Sequence, residues 1–243
     1  AKNQVSNFLE RVNYLIADCQ RDYKIALEHG YNNTFLGVYP GNGGIKIDET
    51  KINDTQKRSA ILIKGYDDGV GMALKVIQAL ELISISLIKN YSIVVYSADA
   101  SIVHHLKSAS YFESLKVRVI KRGEFISNSE LLEIMGQSVL HIGNSISDGM
   151  PNSLLEAMGM GAFPIQSNPG QVSEEVINEG LNGLLINDPL DLEEIAKTIE
   201  GALLNPHLRV QAQNYNVDLV KNNYNRIIFK SRIVRLYEQV VLR

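Results

Sequence analysis

The stretch of sequence that decides the fold spans residues 145–161 and reads SISDGMPNSLLEAMGMG. Asp148-Gly149 predicts a turn, and Pro151 suits the first position of a helix. Apolar residues then recur at helical spacing, namely Leu154, Leu155 and Met158. The stretch therefore predicts a loop that leads into the N-terminus of a helix with one buried face.

Two carboxylates lie eight residues apart in this stretch, Asp148 in the loop and Glu156 inside the helix. A helix N-terminus attracts anions such as phosphate, and a carboxylate accepts hydrogen bonds from hydroxyls. One ligand has both features, a nucleotide diphosphate that carries a sugar. Asp148 also suits an N-cap or an Asx-turn, and that interpretation is compatible with the first.

Around this stretch, short β-branched runs alternate with longer helical patterns. The predicted strands are residues 60–64, 92–96, 117–120, 139–142, 163–166 and 184–186. The predicted helices are residues 72–88, 102–110, 128–135, 152–158, 173–179 and 190–204. This alternation predicts an α/β fold with a doubly wound, mainly parallel, Rossmann-like sheet. Such sheets bind ligands at the carboxyl ends of their strands, where the Asp148 loop belongs.

The composition narrows the class of protein. The chain has 243 residues, of which 45% are hydrophobic and 21% charged, as in a soluble globular protein. A net charge of -3 gives no basic field for nucleic acid. The single cysteine, Cys19, excludes an intrachain disulfide and fits a reducing compartment. No apolar run reaches the ~18–20 residues that span a bilayer.

The central stretch resembles the donor-binding motif of glycosyltransferase family 4, a retaining group with the GT-B fold. The family pattern E-G-x-P-x-x-x-L-E-A-M-A-x-G is matched by DGMP at 148–151 and by LEAMGMG at 155–161. Asp148 replaces the first Glu, and Gly159 stands where Ala is usual. The resemblance implies transfer of a sugar from a nucleotide-diphosphate sugar to an acceptor hydroxyl with retention, in surface polysaccharide biosynthesis.

The resemblance also suggests how the chain is divided. Residues 13–18, 21–29 and 34–39 predict a βαβ element, and a glycine-rich turn at 40–44 looks like the end of a GT-B N-terminal domain. We therefore expect residues 1–45 to end an N-terminal acceptor domain that is mostly absent, and 46–58 to be a linker. Residues 59–205 would form the donor-binding domain, and 206–243 the helices that pack back toward the N-terminal domain.

By resemblance, the helix region supplies most of the donor site. Glu156 is expected to hold the ribose hydroxyls, and Asp148 to face the transferred sugar as the catalytic residue. The segment between them is expected to bind sugar hydroxyls or phosphate through its N–H groups and side chains, and its candidate residues are Gly149, Met150, Pro151, Asn152 and Ser153. Plain helix capping is the alternative for this segment.

The diphosphate also needs cations. Family members supply an Arg and a Lys after the first strand of this domain, but Tyr66 stands in place of the Arg and Gly71-Met72 in place of Lys-Gly. The remaining candidate cations are Lys64, which lies beside Gly65, Arg122 and Lys75. The loop 65–71 could instead present its N–H groups to phosphate.

Two further segments follow the family pattern. Residues 122–124 resemble the segment that lines the nucleotide base. Glu175 matches the acidic position of a G-G-x-x-E loop and could equally be structural. We expect no metal and no other cofactor, because helix N-termini and cations already supply a positive potential for the diphosphate.

The expected partners are a nucleotide-sugar donor and a glycan or lipid-linked acceptor, but not nucleic acid. The resemblance also implies a cytoplasmic location, with peripheral attachment to the inner face of a membrane through the absent domain. We expect the chain alone to bind the donor and to turn over poorly or not at all. Two alternatives remain open. One is a UDP-sugar epimerase of the same fold, and the other is a non-catalytic nucleotide-binding or interaction module, which the missing Arg and Lys favour.

Overall fold

The computed structural model describes residues 2–40 and 43–241. Gly41 and Asn42 of the predicted glycine-rich turn lie outside the described residues. The strands are β1 (Tyr14–Ala17), β2 (Thr34–Val38), β3 (Ala60–Lys64), β4 (Ser92–Ala98), β5 (Lys116–Lys121), β6 (Ser138–Gly143), β7 (Phe163–Ser167) and β8 (Leu184–Ile186). The helices are α1 (Lys2–Leu9), α2 (Gln20–Glu28), α3 (Ala73–Leu80), α4 (Ile85–Ile88), α5 (Ala100–Ser108), α6 (Asn128–Gln137), α7 (Asn152–Gly159), α8 (Leu192–Leu204), α9 (Pro206–Asn223) and α10 (Arg226–Val241).

The strands form two parallel sheets. β1 pairs with β2, and the other strands form a six-stranded sheet in the order β5-β4-β3-β6-β7-β8. The predicted α/β fold with a doubly wound parallel sheet is confirmed. The chain runs outward from β3 to β5 and then returns to place β6 beside β3. This reversal opens a crevice at the carboxyl ends of β3 and β6.

Burial on both faces explains why the central strands are continuous apolar runs. In β3, Ile61 and Ile63 pack in one cluster with residues of α3, α5 and α8, whereas Leu62 packs in another with residues of α6 and α7. Successive side chains of a strand point to opposite faces. Helices therefore cover both sides of the six-stranded sheet and hold the crevice at its edge.

Two predicted helices and the predicted position of Pro151 differ from the structure. The helix predicted over 72–88 divides into α3 and α4, because its middle tightens into a turn in which the Ile83 N–H bonds the Leu80 carbonyl. The helix predicted over 173–179 is only a 3₁₀ turn at Ser173–Glu175, since the Asn178 N–H bonds the Asn182 side chain at 2.7 Å instead. Pro151 is the N-cap of α7 and precedes its first helical residue.

The predicted linker at 46–58 packs against α6. The Asn53 N–H donates to the Gly136 carbonyl at 3.1 Å. Arg58 is buried, and its guanidinium donates to four carbonyls, those of Asn53, Met135, Ser138 and Met160. Burial lowers the pKa of Arg58 to about 10. This side chain therefore ties the linker to α6, to the start of β6 and to the end of α7.

The C-terminal helices connect the two sheets. α9 packs on α7, and α10 returns toward β1 and β2. The Phe229 ring of α10 lies edge-on to Tyr39, with 5.8 Å between ring centroids. Within residues 2–40 and 43–241, no helix has the length and apolar character to cross a membrane.

Candidate functional site: the crevice between β3 and β6

Two loops meet where the sheet order reverses. The loop after β3 pairs with the loop after β6 through a bridge between Gly71 and Ser145. The Ile146 N–H donates to the Val70 carbonyl at 3.0 Å. These bonds hold the loop that carries Asp148 beside the end of β3, so that residues from both strands line one crevice.

A cavity of about 170 Å³ lies in this crevice. Lys64 and Asp148 line it, and among the described residues Lys64 is its only cationic side chain. The Lys64 Nζ atom lies 4.8 Å from the centroid of the Tyr66 ring. Burial raises the pKa of Asp148 above its usual value, while Lys64 and the Gly149 N–H oppose the increase. The cavity therefore combines one cation with a carboxyl group that is partly desolvated.

Glu156 lines a second cavity of about 390 Å³, together with Asn128 and Asn152. Its Oε1 accepts a hydrogen bond from the Asn128 side chain at 3.0 Å. Burial raises the pKa of Glu156, and the bond from Asn128 opposes this. The buried Oδ1 of Asn152 has no hydrogen-bond partner among the described residues. A polar ligand in this cavity would supply the missing donor.

The N-terminus of α7 separates these two cavities. The N–H groups of Asn152 and Ser153 belong to the first helical turn and have no intrahelical acceptor. The Ser153 side chain lies against the Tyr96 phenol, whose hydroxyl lies 3.0 Å from His141 Nε2. Burial lowers the pKa of His141 to about 3. His141 is therefore a neutral core residue under the helix start and not a base of the site.

Arg122 lies beside the crevice, but carboxylates already hold it. Its Nη1 contacts Asp68 at 2.9 Å and Asp99 at 3.1 Å, and its guanidinium stacks 4.4 Å from the centroid of the Tyr66 ring. Gly65 is explained by packing, because a Cβ at this position would lie 2.7 Å from the Ala98 Cα atom. Neither residue lines the cavity that contains Lys64 and Asp148.

Glu175 contacts the N-terminal segment and not the crevice. Its carboxylate accepts the N–H groups of Gln20 at 2.9 Å and of Arg21 at 3.1 Å, at the start of α2. It lines a cavity of about 510 Å³ that lies beside β2 and α10. The structure thus brings Lys64 and Asp148 into one cavity and keeps Glu175 out of it.

Sequence reasoning missed three residues at the crevice. Asp18, from the N-terminal segment, accepts the Met150 N–H at 2.8 Å. Asn144 and Gln166, at the ends of β6 and β7, line the cavity of Lys64. The available signal was a polar residue at the carboxyl end of a buried strand, with Asn144 directly after β6 and Gln166 in the last two residues of β7. No comparable signal marks Asp18, because its partner lies 132 residues away.

No metal cluster accompanies these residues. Across the described part of the chain, no group of three or more His, Cys, Asp or Glu side chains is arranged to hold a metal ion. The cavity of Asp148 therefore offers one lysine, a carboxyl group and amide side chains, and the cavity of Glu156 adds Lys46 and Arg226 to its carboxyl group and amides.

Comparisons with known proteins identify the family and the fold of the chain. The family model described as glycosyl transferases group 1 matches residues 69–232, which is more than half of the chain. No curated protein sequence matches. Among solved structures, the chain is similar to sucrose-phosphate synthase from Thermosynechococcus elongatus, at 16% identity and a TM-score of 0.77, over 100% of this chain and 62% of that one.

Two further similar structures were solved with UDP and a sugar. The pneumococcal O-GlcNAc transferase GtfA, in complex with UDP and GlcNAc, is 15% identical with a TM-score of 0.72, over 97% of this chain and 47% of that one. Anabaena HepE, in complex with UDP and glucose, is 12% identical with a TM-score of 0.73, over 98% of this chain and 67% of that one. The chain thus spans less than half of GtfA. The fold matches GT-B glycosyltransferases, and the chain belongs to the group 1 glycosyl transferases.

Proposed function

We propose that this chain carries the donor site of a retaining glycosyltransferase of family 4, which moves a sugar from a nucleotide-diphosphate sugar to an acceptor hydroxyl. The observation that carries the proposal is the crevice itself. Lys64 and Asp148 line one cavity, Glu156 lines the next, and the N-terminus of α7 lies between them. Lys64 and the helix N–H groups would suit the diphosphate, with Asp148 near the sugar on one side of it and Glu156 near the ribose on the other.

The diphosphate would lie against Lys64, the loop 65–71 and the N-terminus of α7. The leaving diphosphate gains negative charge as the sugar departs, and fixed positive potential stabilises that charge. The proposal needs no metal ion for this step. Arg122 would contribute only if a phosphate replaced Asp68 and Asp99 around its guanidinium.

The sugar and the ribose would contact the two carboxyl groups. Asp148 would accept a hydrogen bond from a sugar hydroxyl or face the anomeric carbon. Gly149 would allow the backbone to approach the sugar closely. Glu156 would accept hydrogen bonds from the ribose hydroxyls, and the buried Oδ1 atom of Asn152 would accept another from the ligand. Met150 and Pro151 would act through the shape of the loop, since the Met150 N–H already bonds Asp18. Glu175 would act indirectly, by holding the start of α2 through the N–H groups of Gln20 and Arg21.

The rest of the proposed activity is argued from the family alone. Transfer to a glycan or lipid-linked acceptor, a role in surface polysaccharide biosynthesis and a cytoplasmic site at the inner face of a membrane are proposals that rest on family membership. We expect the chain alone to bind the donor without ordinary turnover. Transfer by the present chain at typical enzyme rates would contradict this expectation.

A non-catalytic nucleotide-binding module is the second candidate. The observation that favours it is Tyr66, which stands where the family supplies an arginine, together with the two carboxylates that hold Arg122. Sugar transfer by the full-length protein would exclude this candidate, whereas nucleotide binding without transfer would favour it.

The experiment that tests the donor site is calorimetric titration of the chain with UDP, GDP and ADP. We expect one of them to bind, and Glu156→Ala to weaken binding tenfold or more, because a hydrogen bond to a charged group contributes about 1.5–3 kcal/mol. Glu193→Ala, on the exposed face of α8, is the matched control. Equal affinity of Glu156→Ala and the native chain would remove Glu156 from the site, and no binding of any diphosphate would remove the donor site.

A further inference from the structure

The largest of the cavities described above, of about 510 Å³, lies outside the crevice, where the small sheet meets the C-terminal helices. Its volume is within the ~300–1,000 Å³ that is typical of small-molecule sites. It shares no lining residue with the cavities of Asp148 and Glu156. The polar and aromatic side chains at its surface include Gln20, Tyr39, Glu175, Asn223, Tyr224 and Arg232.

Aromatic rings form one wall of this cavity. Phe229 of α10 is buried, with 3% of its surface exposed. The Tyr39 ring lies edge-on to it, with 5.8 Å between ring centroids, and the Tyr224 ring lies 6.2 Å from it on the same measure. Two tyrosine rings supported by a buried phenylalanine therefore border the cavity.

The end of β2 is shaped to place Tyr39 at this wall. Leu15 pairs with Phe35 but Ile16 pairs with Gly37, so that β2 carries an extra residue, a β-bulge. Gly37 has a φ of 122°, and a Cβ at this position would lie 3.0 Å from the Tyr39 Cε2 atom. A side chain at position 37 would therefore push the Tyr39 ring away from its place beside the cavity.

The polar side chains of the cavity suit hydroxyl groups. The Glu175 carboxylate accepts the N–H groups of Gln20 and Arg21, and about two of its roughly four acceptor positions remain. The Asn223 amide and the Arg232 guanidinium add planar groups that bond two hydroxyls at once. Among the described lining residues, one carboxylate and one guanidinium are the only charged groups, so the cavity has no net formal charge.

We propose that this cavity binds one sugar ring of a neutral glycan. A pyranose ring has an apolar face of C–H groups and a rim of hydroxyls. The face would pack on the rings of Tyr39 and Tyr224, and the hydroxyls would bond the carboxylate, amide and guanidinium groups. A phosphorylated ligand finds no surplus of positive charge here. The inference goes beyond the proposed function, because it assigns a second carbohydrate site outside the donor crevice.

Saturation-transfer NMR of the chain with maltose, cellobiose, lactose and N,N′-diacetylchitobiose tests this site. We expect at least one of them to receive saturation at the C–H protons of one ring face. Tyr39→Ala should weaken its binding about 2- to 12-fold, as for a lost aromatic contact. Tyr237→Ala is the matched control, because Tyr237 also lies on the surface but lines a different cavity.

A second variant covers loss of folding in Tyr39→Ala. Arg232 is exposed, so Arg232→Met should keep the Tm of the native chain and bind the sugar roughly 2- to 12-fold more weakly, through loss of a donor. If no disaccharide of this panel binds the native chain, or if Arg232→Met and a folded Tyr39→Ala bind it as the native chain does, the sugar site is wrong.

Competition with UDP separates this site from the donor crevice. UDP should leave the sugar signal unchanged, and displacement of the sugar by UDP would place the sugar in the crevice and overturn the inference. Sugar binding by a chain that binds no UDP, GDP or ADP would overturn the donor site and support the second site. Nucleotide binding without sugar binding would do the reverse.

Discussion

Replacement of Lys64 by methionine tests the electrostatic part of the site most directly. The Lys64→Met change keeps the length and apolar stem of the side chain and removes its charge. Lys64 is the only cation among the described residues that line the cavity of Asp148, and no described residue forms an ion pair with it. We therefore expect the variant to fold normally and to bind UDP more weakly.

The size of the effect follows from the position of Lys64. Two unit charges 4 Å apart interact by about 4 kcal/mol at an effective dielectric constant of ~20, which is typical near a protein surface. Loss of hydration around both charges reduces this Coulomb energy. A hydrogen bond to a charged group contributes about 1.5–3 kcal/mol net. The expected loss of UDP affinity is therefore roughly 10- to 150-fold.

Calorimetry with UDP and with uridine separates the phosphate contact from the rest of the site. Lys64→Met should weaken UDP binding and leave uridine binding unchanged, and added salt should narrow the difference between variant and native chain. Lys89→Met, at an exposed position after α4, is the control for loss of one positive charge. If Lys64→Met binds UDP like the native chain while Arg122→Met does not, Arg122 holds the diphosphate and the assignment is refuted.

Three other changes follow from the packing and the titration of the site. Arg58→Ala should lower the free energy of unfolding by about 3 kcal/mol and the Tm by roughly 6–12 °C, because four carbonyls lose their donor; an unchanged Tm would contradict this. Gly143→Ala places a Cβ 2.3 Å from the Gln166 Oε1 atom and should cost about 1–3 kcal/mol in a denaturant titration, whereas native stability would show that Gln166 can move. Burial raises the pKa of Glu156. Above that raised pKa the buried charge lowers the free energy of unfolding, and this loss disappears as the pH falls through the pKa. UDP affinity should fall over the same interval, and Glu156→Gln should lack this component; identical pH profiles would exclude a role for its charge.

The sheet could be predicted because its strands carry a strong local signal. All six strands of the large sheet begin and end within two residues of the predicted bounds, and β3 and β8 match them. Most of them are short apolar runs, and the central ones are buried on both faces. The helix predicted over 173–179 failed for a local reason that periodicity does not register. The Asn182 side chain competes for a backbone N–H and ends the helical turn early.

Sequence spacing and strand ends account for the candidate residues that the structure brings to the crevice, including Lys64 at the end of β3. Asp148 and Glu156 fall on one loop and one helix, so that their spacing alone indicates a shared edge. Arg122 was a candidate cation from its type and position, but its pairing with Asp68 and Asp99 depends on two other loops. Asp18 was missed because a contact between the N-terminal segment and the loop after β6 leaves no periodic trace.

The start of α2 has a consequence for recombining enzymes of this fold. Cys19 is fully buried in a cluster with Met150, Leu154 and Val176 of the large domain, while Asp18 accepts the Met150 N–H in the loop after β6. The N-terminal segment of the chain thus inserts a side chain into the hydrophobic core of the large domain. A chimera that joins this large domain to a foreign N-terminal segment keeps that packing only where the foreign residue fills the space of Cys19, next to the loop that carries Asp148. The useful crossover point lies before residue 14, and any exchange after it must keep the residues at 18 and 19 with the large domain.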